Sequence, residues 1–200
     1  TANLDIQGSG LALTELQLMA NGQVESFYAA GYDYHHINLD GRFKNNAFDG
    51  DVKVQDVNAN LDFSGHVDFS TSLPELVCHL VVRTANLKEL GIFSDGPYSS
   101  ISGSATLNSR GLAPDEIEGQ LTISDVSYCT EDADYVLDYL ELEVNRDSEL
   151  SVLLNSDIAI GELKGQFTFE DVVESIKEIA YQVIPKASMD VQVHAEQRFE

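Results

Sequence analysis

Tryptophan is absent from this chain, cysteine occurs twice, and lysine and arginine together number only 11 in 200 residues. Each shortage removes a class of function. Without Trp there is no indole platform for a sugar ring, which weakens any reading of paired carboxylates as a glycoside-cleaving site. Cys78 and Cys129 lie far apart with no Cys-x-x-Cys pair, so neither a zinc site nor a dithiol redox centre is supported. Buried free thiols are expected ahead of a disulfide. Against the 11 cations stand 34 Asp and Glu, a formal net charge of −23. Nucleic acids and anionic membrane surfaces are held by Lys and Arg, so both are repelled. The charge favours solubility and names no partner. No run approaches the roughly 18 apolar residues of a membrane-spanning helix. Thr1-Ala2-Asn3-Leu4-Asp5 has neither the basic start nor the apolar core of a signal peptide. A cytosolic protein and a soluble piece of a longer anchored chain both satisfy these limits.

What is present is apolar residues at 43%, nine Phe and eight Tyr, enough to build a core. They alternate with polar residues at a period of two, the signature of strands with one apolar face. From Asp56 to Ser70 the residues Val57, Ala59, Leu61, Phe63, Gly65, Val67 and Phe69 share one face and polar residues the other. Similar strands are expected over 11–20, 24–28, 76–84 and 135–144. The segment from Leu76 to Val82 is apolar on both faces and reads as the most covered strand. Turn chemistry falls at Asn45-Asn46, at Ser94 to Pro97 and at Arg110 to Asp115. Asn86 to Gly91 reads as one helical turn closed by glycine. An amphipathic helix is expected over about 170–184, with Val172, Val173, Ile176, Ile179, Ala180, Val183 and Ile184 on its apolar stripe and Pro185 as its stop. A terminal strand follows over 186–200.

A second regularity overlies the first. The pattern apolar-x-Gly-x-apolar-x-apolar recurs around Gly50, Gly65, Gly103, Gly119 and Gly165, with a shorter copy at Gly41. In each copy the glycine sits on the apolar face. Glycine within a strand marks a bend, a bulge or a close backbone approach, and glycines on one face are how a sheet is made to curl. From spacing alone, a sandwich with bulges and a single curled sheet with an apolar trough stand level.

The search for chemistry finds no catalytic constellation. Gly-x-Ser-x-Gly, His-Glu-x-x-His and the phosphate-binding Gly-x-x-x-x-Gly-Lys loop are all missing. His35 and His36 are adjacent, so in a strand they point apart and cannot share a metal; the change of apolar phase around them suggests a bulge. His66 reads as solvated and His79 as a core residue, while His194 has no partner in the sequence. The acids of 131–134 and 115–118 lack the spacing of a calcium loop, and a solvated acidic loop is expected ahead of a surface calcium site. No metal and no cofactor is expected.

The order of these motifs resembles the repetitive β region of TamB and AsmA-like envelope proteins. The residues that carry the resemblance are Asn3-Leu4-Asp5-Ile6-x-Gly8, then Leu13-Thr14-x-Leu16-x-Leu18-x-Ala20-x-Gly22. They continue with Gly31-Tyr32-x-Tyr34-x-x-Ile37-x-Leu39-Asp40-Gly41-x-Phe43, with Phe48-x-Gly50, and with Leu61-Asp62-Phe63-x-Gly65-x-Val67-Asp68-Phe69-Ser70. Ala85-Asn86-Leu87-x-x-Leu90 and the helix ended by Ile184-Pro185 complete the set. The resemblance implies a mainly β fold: a long, curled antiparallel sheet, taco-like, with one helix near the C-terminus, the whole of 1–200 being a single segment of a longer protein. It implies a periplasmic location in a protein anchored to the inner membrane and reaching the outer one. It further implies a non-catalytic role in phospholipid movement or outer-membrane protein assembly, with acyl chains and an outer-membrane β-barrel assembly protein as partners. Membrane contact would come from parts of the longer protein outside these residues. The implied lining is Leu39, Phe43, Phe48, Val52, Leu61, Phe63, Val67, Phe69, Ile101, Leu107, Ile117, Leu121, Ile123, Phe167 and Phe169. The implied sheet-bending glycines are Gly41, Gly50, Gly65, Gly103, Gly119 and Gly165. The alternative is a β-sandwich adhesion or carbohydrate-binding module with acidic, calcium-binding loops. The two differ in whether the apolar face is wholly covered by protein.

Overall fold

The computed structural model describes residues 2–9, 16–29, 31–92, 98–111, 116–146 and 149–165. Across them the alternation becomes eleven antiparallel strands in one sheet. In chain order these are β1 (Ala2–Ser9), β2 (Gln17–Ala29), β3 (Tyr32–Lys44), β4 (Ala47–Gln55), β5 (Ala59–Asp68), β6 (Glu75–Asn86), β7 (Ser99–Arg110), β8 (Glu118–Thr130), β9 (Asp134–Arg146), β10 (Leu150–Ser156) and β11 (Ile160–Gly165). The sheet order is the chain order, so each strand pairs with the one before and after it. Short turns enforce that meander: Asn45 and Asn46, at φ 55° and 60°, supply the left-handed pair that a two-residue hairpin needs. Among the described residues β1 and β11 are the edges of an open, at most weakly curled sheet, and no second sheet faces it.

Paired residues of an antiparallel ladder share a face, and alternate residues along a strand return to it. The register therefore carries one apolar face through all eleven strands. Its middle row runs Ile6, Ala20, Gly41, Gly50, Gly65, Cys78, Leu107, Leu121, Leu142, Leu154, Gly161. A flanking row holds Leu18, Phe43, Phe48, Val67 and Leu76, and the other flanking row Leu39, Val52, Phe63, Leu80 and Ala105. The opposite face is charged, with cross-strand groups Arg42–Asp49–His66 and Lys53–Asp62–Arg83.

The tightest packing lies at one end of the strands. Val54, Ala59, Ala85, Leu87 and Leu90 are buried together, with Tyr32, Tyr34, Ile37, Leu61, Val82, Ile101 and Tyr128 against them. Leu87 and Leu90 arrive on the helical turn expected after β6. Leu90 N–H donates to Asn86 O at 3.0 Å, Glu89 N–H to Asn86 Oδ1 at 3.3 Å, and Gly91 at φ 74° ends the turn. That turn folds over the apolar face and closes one margin of it.

Several expectations are corrected. The alternating run from Asp56 to Ser70 is not one strand: Asp56 to Asn58 form a turn, Val57 points to solvent at 88% exposure, and β5 begins at Ala59. The separate strands expected over 11–20 and 24–28 meet in a single β2 where they are described. The segment from Leu76 to Val82 is not the most covered, because Val77 and His79 lie on the polar face and are exposed. Phe69 lies beyond β5 and is exposed. The helix over 170–184, the strand over 186–200, Phe167, Phe169 and the 94–97 turn lie outside the described residues.

Candidate functional site

The glycines on the apolar face have two distinct structural roles. A Cβ placed on Gly50 would sit 2.5 Å from Phe48 Cζ, and one on Gly41 3.4 Å from Phe48 Cε2. A Cβ on Gly65 would sit 2.9 Å from Phe63 Cζ. The adjacent glycines Gly41, Gly50 and Gly65 are thus the floor on which two phenylalanine rings lie flat. Gly103 and Gly119 serve the backbone instead: both are left-handed, at φ 150° and 147°, and a Cβ on Gly119 would lie 2.2 Å from Asn108 O. The β7–β8 register shifts between Ser102 and Ser104, around Gly103. Gly165 closes β11 at φ 141°.

The register brings Leu39, Phe43, Phe48, Val52, Leu61, Phe63, Val67, Leu107, Leu121 and Ile123 onto the one face. Ile101 joins the packed margin, and Ile117 lies just ahead of β8, where its carbonyl accepts from Arg146 Nε at 2.9 Å. Between β2 and β4 the face sinks into an open depression of about 460 Å³ lined by Leu16, Leu18, Ala20, Leu39, Gly41, Phe43 and Phe48. Among the described residues no polar side chain lines it.

The closed margin is organised by a carboxylate. The Asp56 side chain is 2% exposed. It accepts Tyr32 OH at 2.6 Å, Asn58 N–H at 2.8 Å and His35 N–H at 3.0 Å, and the His35 Nδ1 lies 3.3 Å away. Burial pushes its pKa up; the hydrogen bonds from Tyr32, Asn58 and His35 outweigh burial and hold it below the ordinary aspartate value. Burial and the same bond push the Tyr32 phenol up. Next to this clasp His36 is left-handed at φ 52°. That single residue switches the phase of β3, so that Tyr32 and Tyr34 join Ile37 on the packed cluster. The phase break was legible from the sequence; Asp56 as its clasp was not.

A signal for that clasp does exist. Asp56-Val57-Asn58-Ala59, Thr130-Glu131-Asp132-Ala133 and Ser156-Asp157-Ile158-Ala159 form one turn type. In each, the first residue's N–H donates to the alanine carbonyl at 2.9 Å. In each, its side-chain oxygen accepts N–H groups from within the turn. All three turns lie at the same end of the strands, and the shared Asp/Thr/Ser-x-x-Ala is the local pattern that marks them.

The remaining polar groups are dispersed. His66 Nδ1 lies 2.7 Å from Asp49 Oδ1, and that contact together with Arg42 holds the Asp49 carboxyl below its usual range. His79, expected in the core, is exposed and meets Thr106 Oγ1 at 3.0 Å. Cys78 is half-buried on the apolar face and burial pushes its thiol up. Cys129 contacts Ser127 Oγ on the polar face, so the two cysteines stand on opposite sides of the sheet. Among the described residues no group of three or more His, Cys, Asp or Glu converges as a metal site. No protein-family model matches the chain, and neither a curated protein nor a solved structure matches it.

Proposed function

We propose that the chain is a non-catalytic segment of a periplasm-spanning envelope protein of the TamB and AsmA-like kind. In this reading the sheet is an apolar trough for phospholipid acyl chains, a scaffold for outer-membrane protein assembly, or both. The observation that carries it is the apolar face itself, continuous through eleven strands, with no second sheet against it among the described residues and with Leu4, Ile6 and Leu18 exposed. At the ~4.8 Å strand spacing such a face extends about 48 Å across the strands. Each buried methylene contributes roughly 0.8 kcal/mol, and because that attraction has no direction a chain can be held and still slide. Curling of the sheet round its cargo belongs to the same reading. The acidic opposite face disfavours anionic membrane surfaces, so membrane contact would come from other parts of the longer protein.

An adhesion module of the sandwich type would need that face covered by protein. Native mass spectrometry of gently purified protein tests the reading. It expects bound phospholipid or fatty acid that exchanges with vesicles. Protein that carries no lipid and takes none up from vesicles would overturn the trough and leave only the scaffold.

A further inference from the structure

We infer that the segment 170–184 lies as a helix across the apolar face over β7 to β10, its apolar stripe against Val144, Val152 and Leu154. The segment is outside the described residues; what points to it is burial on the sheet that no described residue supplies. The inference does not rest on the trough reading, and it confines any trough to the β2–β5 half of the face.

The flanking row that holds Leu18, Phe43, Phe48, Val67 and Leu76 continues through Ser109, Gly119, Val144, Val152 and Leu163. Its first half is open: Leu18 is 37% exposed, and Phe43, Phe48 and Val67 are half-buried. Its second half is not. Ser109 is 4% exposed, Val144 7% and Val152 6%, and Leu154 in the next row is buried with them. Among the described residues, the apolar side chains packed against Val144 and Val152 are Leu142 and Leu150, which stand beside them in the same sheet. Strand side chains stand roughly perpendicular to the sheet, so such neighbours shield one another's flanks and leave the tips to solvent. No described element crosses over those tips. Leu163 on the edge strand is exposed, so the cover spans β7 to β10 and stops there.

Exit point, length and chemistry name the occupant. The last pair of β11 is Leu150–Gly165, one inward-facing step beyond Val152–Leu163, so the chain leaves β11 beside the buried row. Residues 166–169 can span about 13 Å when extended, enough to rise by the 10–12 Å diameter of a helix, roughly. A helix over 170–184 is about 22 Å long, and β7 to β10 is three strand spacings, about 14 Å. Its stripe of Val172, Val173, Ile176, Ile179 and Val183 needs an apolar partner, and the buried row is valine and leucine. The other undescribed stretches at this end of the strands are too short or too distant. Residues 112–115 bridge only β7 and β8, 147–148 is Asp-Ser, and 10–15 joins β1 to β2.

The test uses the whole chain with Cys78 and Cys129 changed to serine, before and after lipid extraction. In the folded protein Val152→Cys is expected to react with a neutral maleimide at least tenfold more slowly than Val77→Cys, which stands exposed on the opposite face. Val152→Cys combined in turn with Val172→Cys, Ile176→Cys, Ile179→Cys or Val183→Cys should form an intramolecular disulfide in at least one pairing under mild oxidation. Leu18→Cys with the same four should form none. Ile176→Asp should speed labelling of Val152→Cys tenfold or more and leave Val77→Cys within about twofold, with far-ultraviolet dichroism reporting the sheet. The cross-links need no such charge and decide the matter if that variant fails to fold. Val152→Cys reacting as fast as Val77→Cys, or slow labelling with no cross-link in any pairing, would overturn the assignment. Slow labelling that becomes fast once lipid is extracted would mean that bound lipid covers the row: it would overturn the helix and support the trough.

Discussion

Replacing Gly50 by valine probes the relation between the glycine row and the phenylalanine rings. The new Cβ would lie 2.5 Å from Phe48 Cζ and 2.7 Å from Cε1, far inside contact distance, so the ring must leave the floor it shares with Gly41. Overpacking of this kind costs about 1–3 kcal/mol. In a chain of this size each kcal/mol moves the melting midpoint by about 2–4 °C. Valine is otherwise favoured in strands, on a scale of about 1 kcal/mol, so the loss should depend on the ring. In a Phe48→Ala background Gly50→Val should therefore cost nothing or stabilise, giving a coupling of roughly 1–3 kcal/mol in a double-mutant cycle. Urea unfolding followed by circular dichroism and tyrosine emission measures all four proteins, and with no Trp in the chain the tyrosine signal is unobscured. Additive effects, or a Gly50→Val protein that unfolds like the parent, would refute the ring-on-glycine packing. Ser64→Val, on the polar face beside Gly65, should stay within about 0.5 kcal/mol.

Asp56→Asn should cost about 1–3 kcal/mol at neutral pH by leaving Tyr32 OH and two backbone N–H groups with a weaker acceptor. The folded pKa of Asp56 lies below its unfolded value. Its contribution is therefore fully present above the unfolded value of about 3.9 and lost as pH falls through the folded one. The gap in urea midpoint between parent and variant should narrow as the solution is acidified below pH 4, and a gap that widens there would reverse the sign of the argument. Leu90→Ala, removing a side chain 4% exposed in the closed margin, should cost about 2–5 kcal/mol in the same assay. Alkylation with a neutral maleimide should be slow at Cys78, whose thiol is pushed up by burial, and reductant should leave the melting midpoint unchanged.

Most of the sheet was legible because an antiparallel strand with one covered face writes its geometry as alternation, and the glycines on that face were visible in the same pattern. What the pattern could not carry was where alternation stops meaning strand. Val57 continues the period of two but sits at a turn tip, because Asp56 Oδ1 captures Asn58 N–H and reverses the chain. Likewise Val77 breaks the simple reading of β6, since an apolar residue on the polar face costs little and leaves no periodic trace. Spacing places the glycines on the apolar face, but the rings of Phe48 and Phe63 lie over three of them through a side-chain packing that leaves no periodic trace. The fastening of the closed margin depends on side-chain oxygens meeting backbone N–H groups twenty or so residues away, as Asp56 meets His35. Neither partner advertises that pairing locally.

Accessibility of the apolar face to hydrocarbon in the folded protein is tested most directly at Phe43, which lines the depression. With Cys78 and Cys129 changed to serine, Phe43→Cys can be labelled with an environment-sensitive naphthalene dye without denaturant. The account expects labelling of the folded protein and a blue shift when phospholipid vesicles or fatty acid are added, with the far-ultraviolet dichroism unchanged. Labelling only in denaturant, with no shift on adding lipid, would mean that the face is closed by protein and would contradict the account.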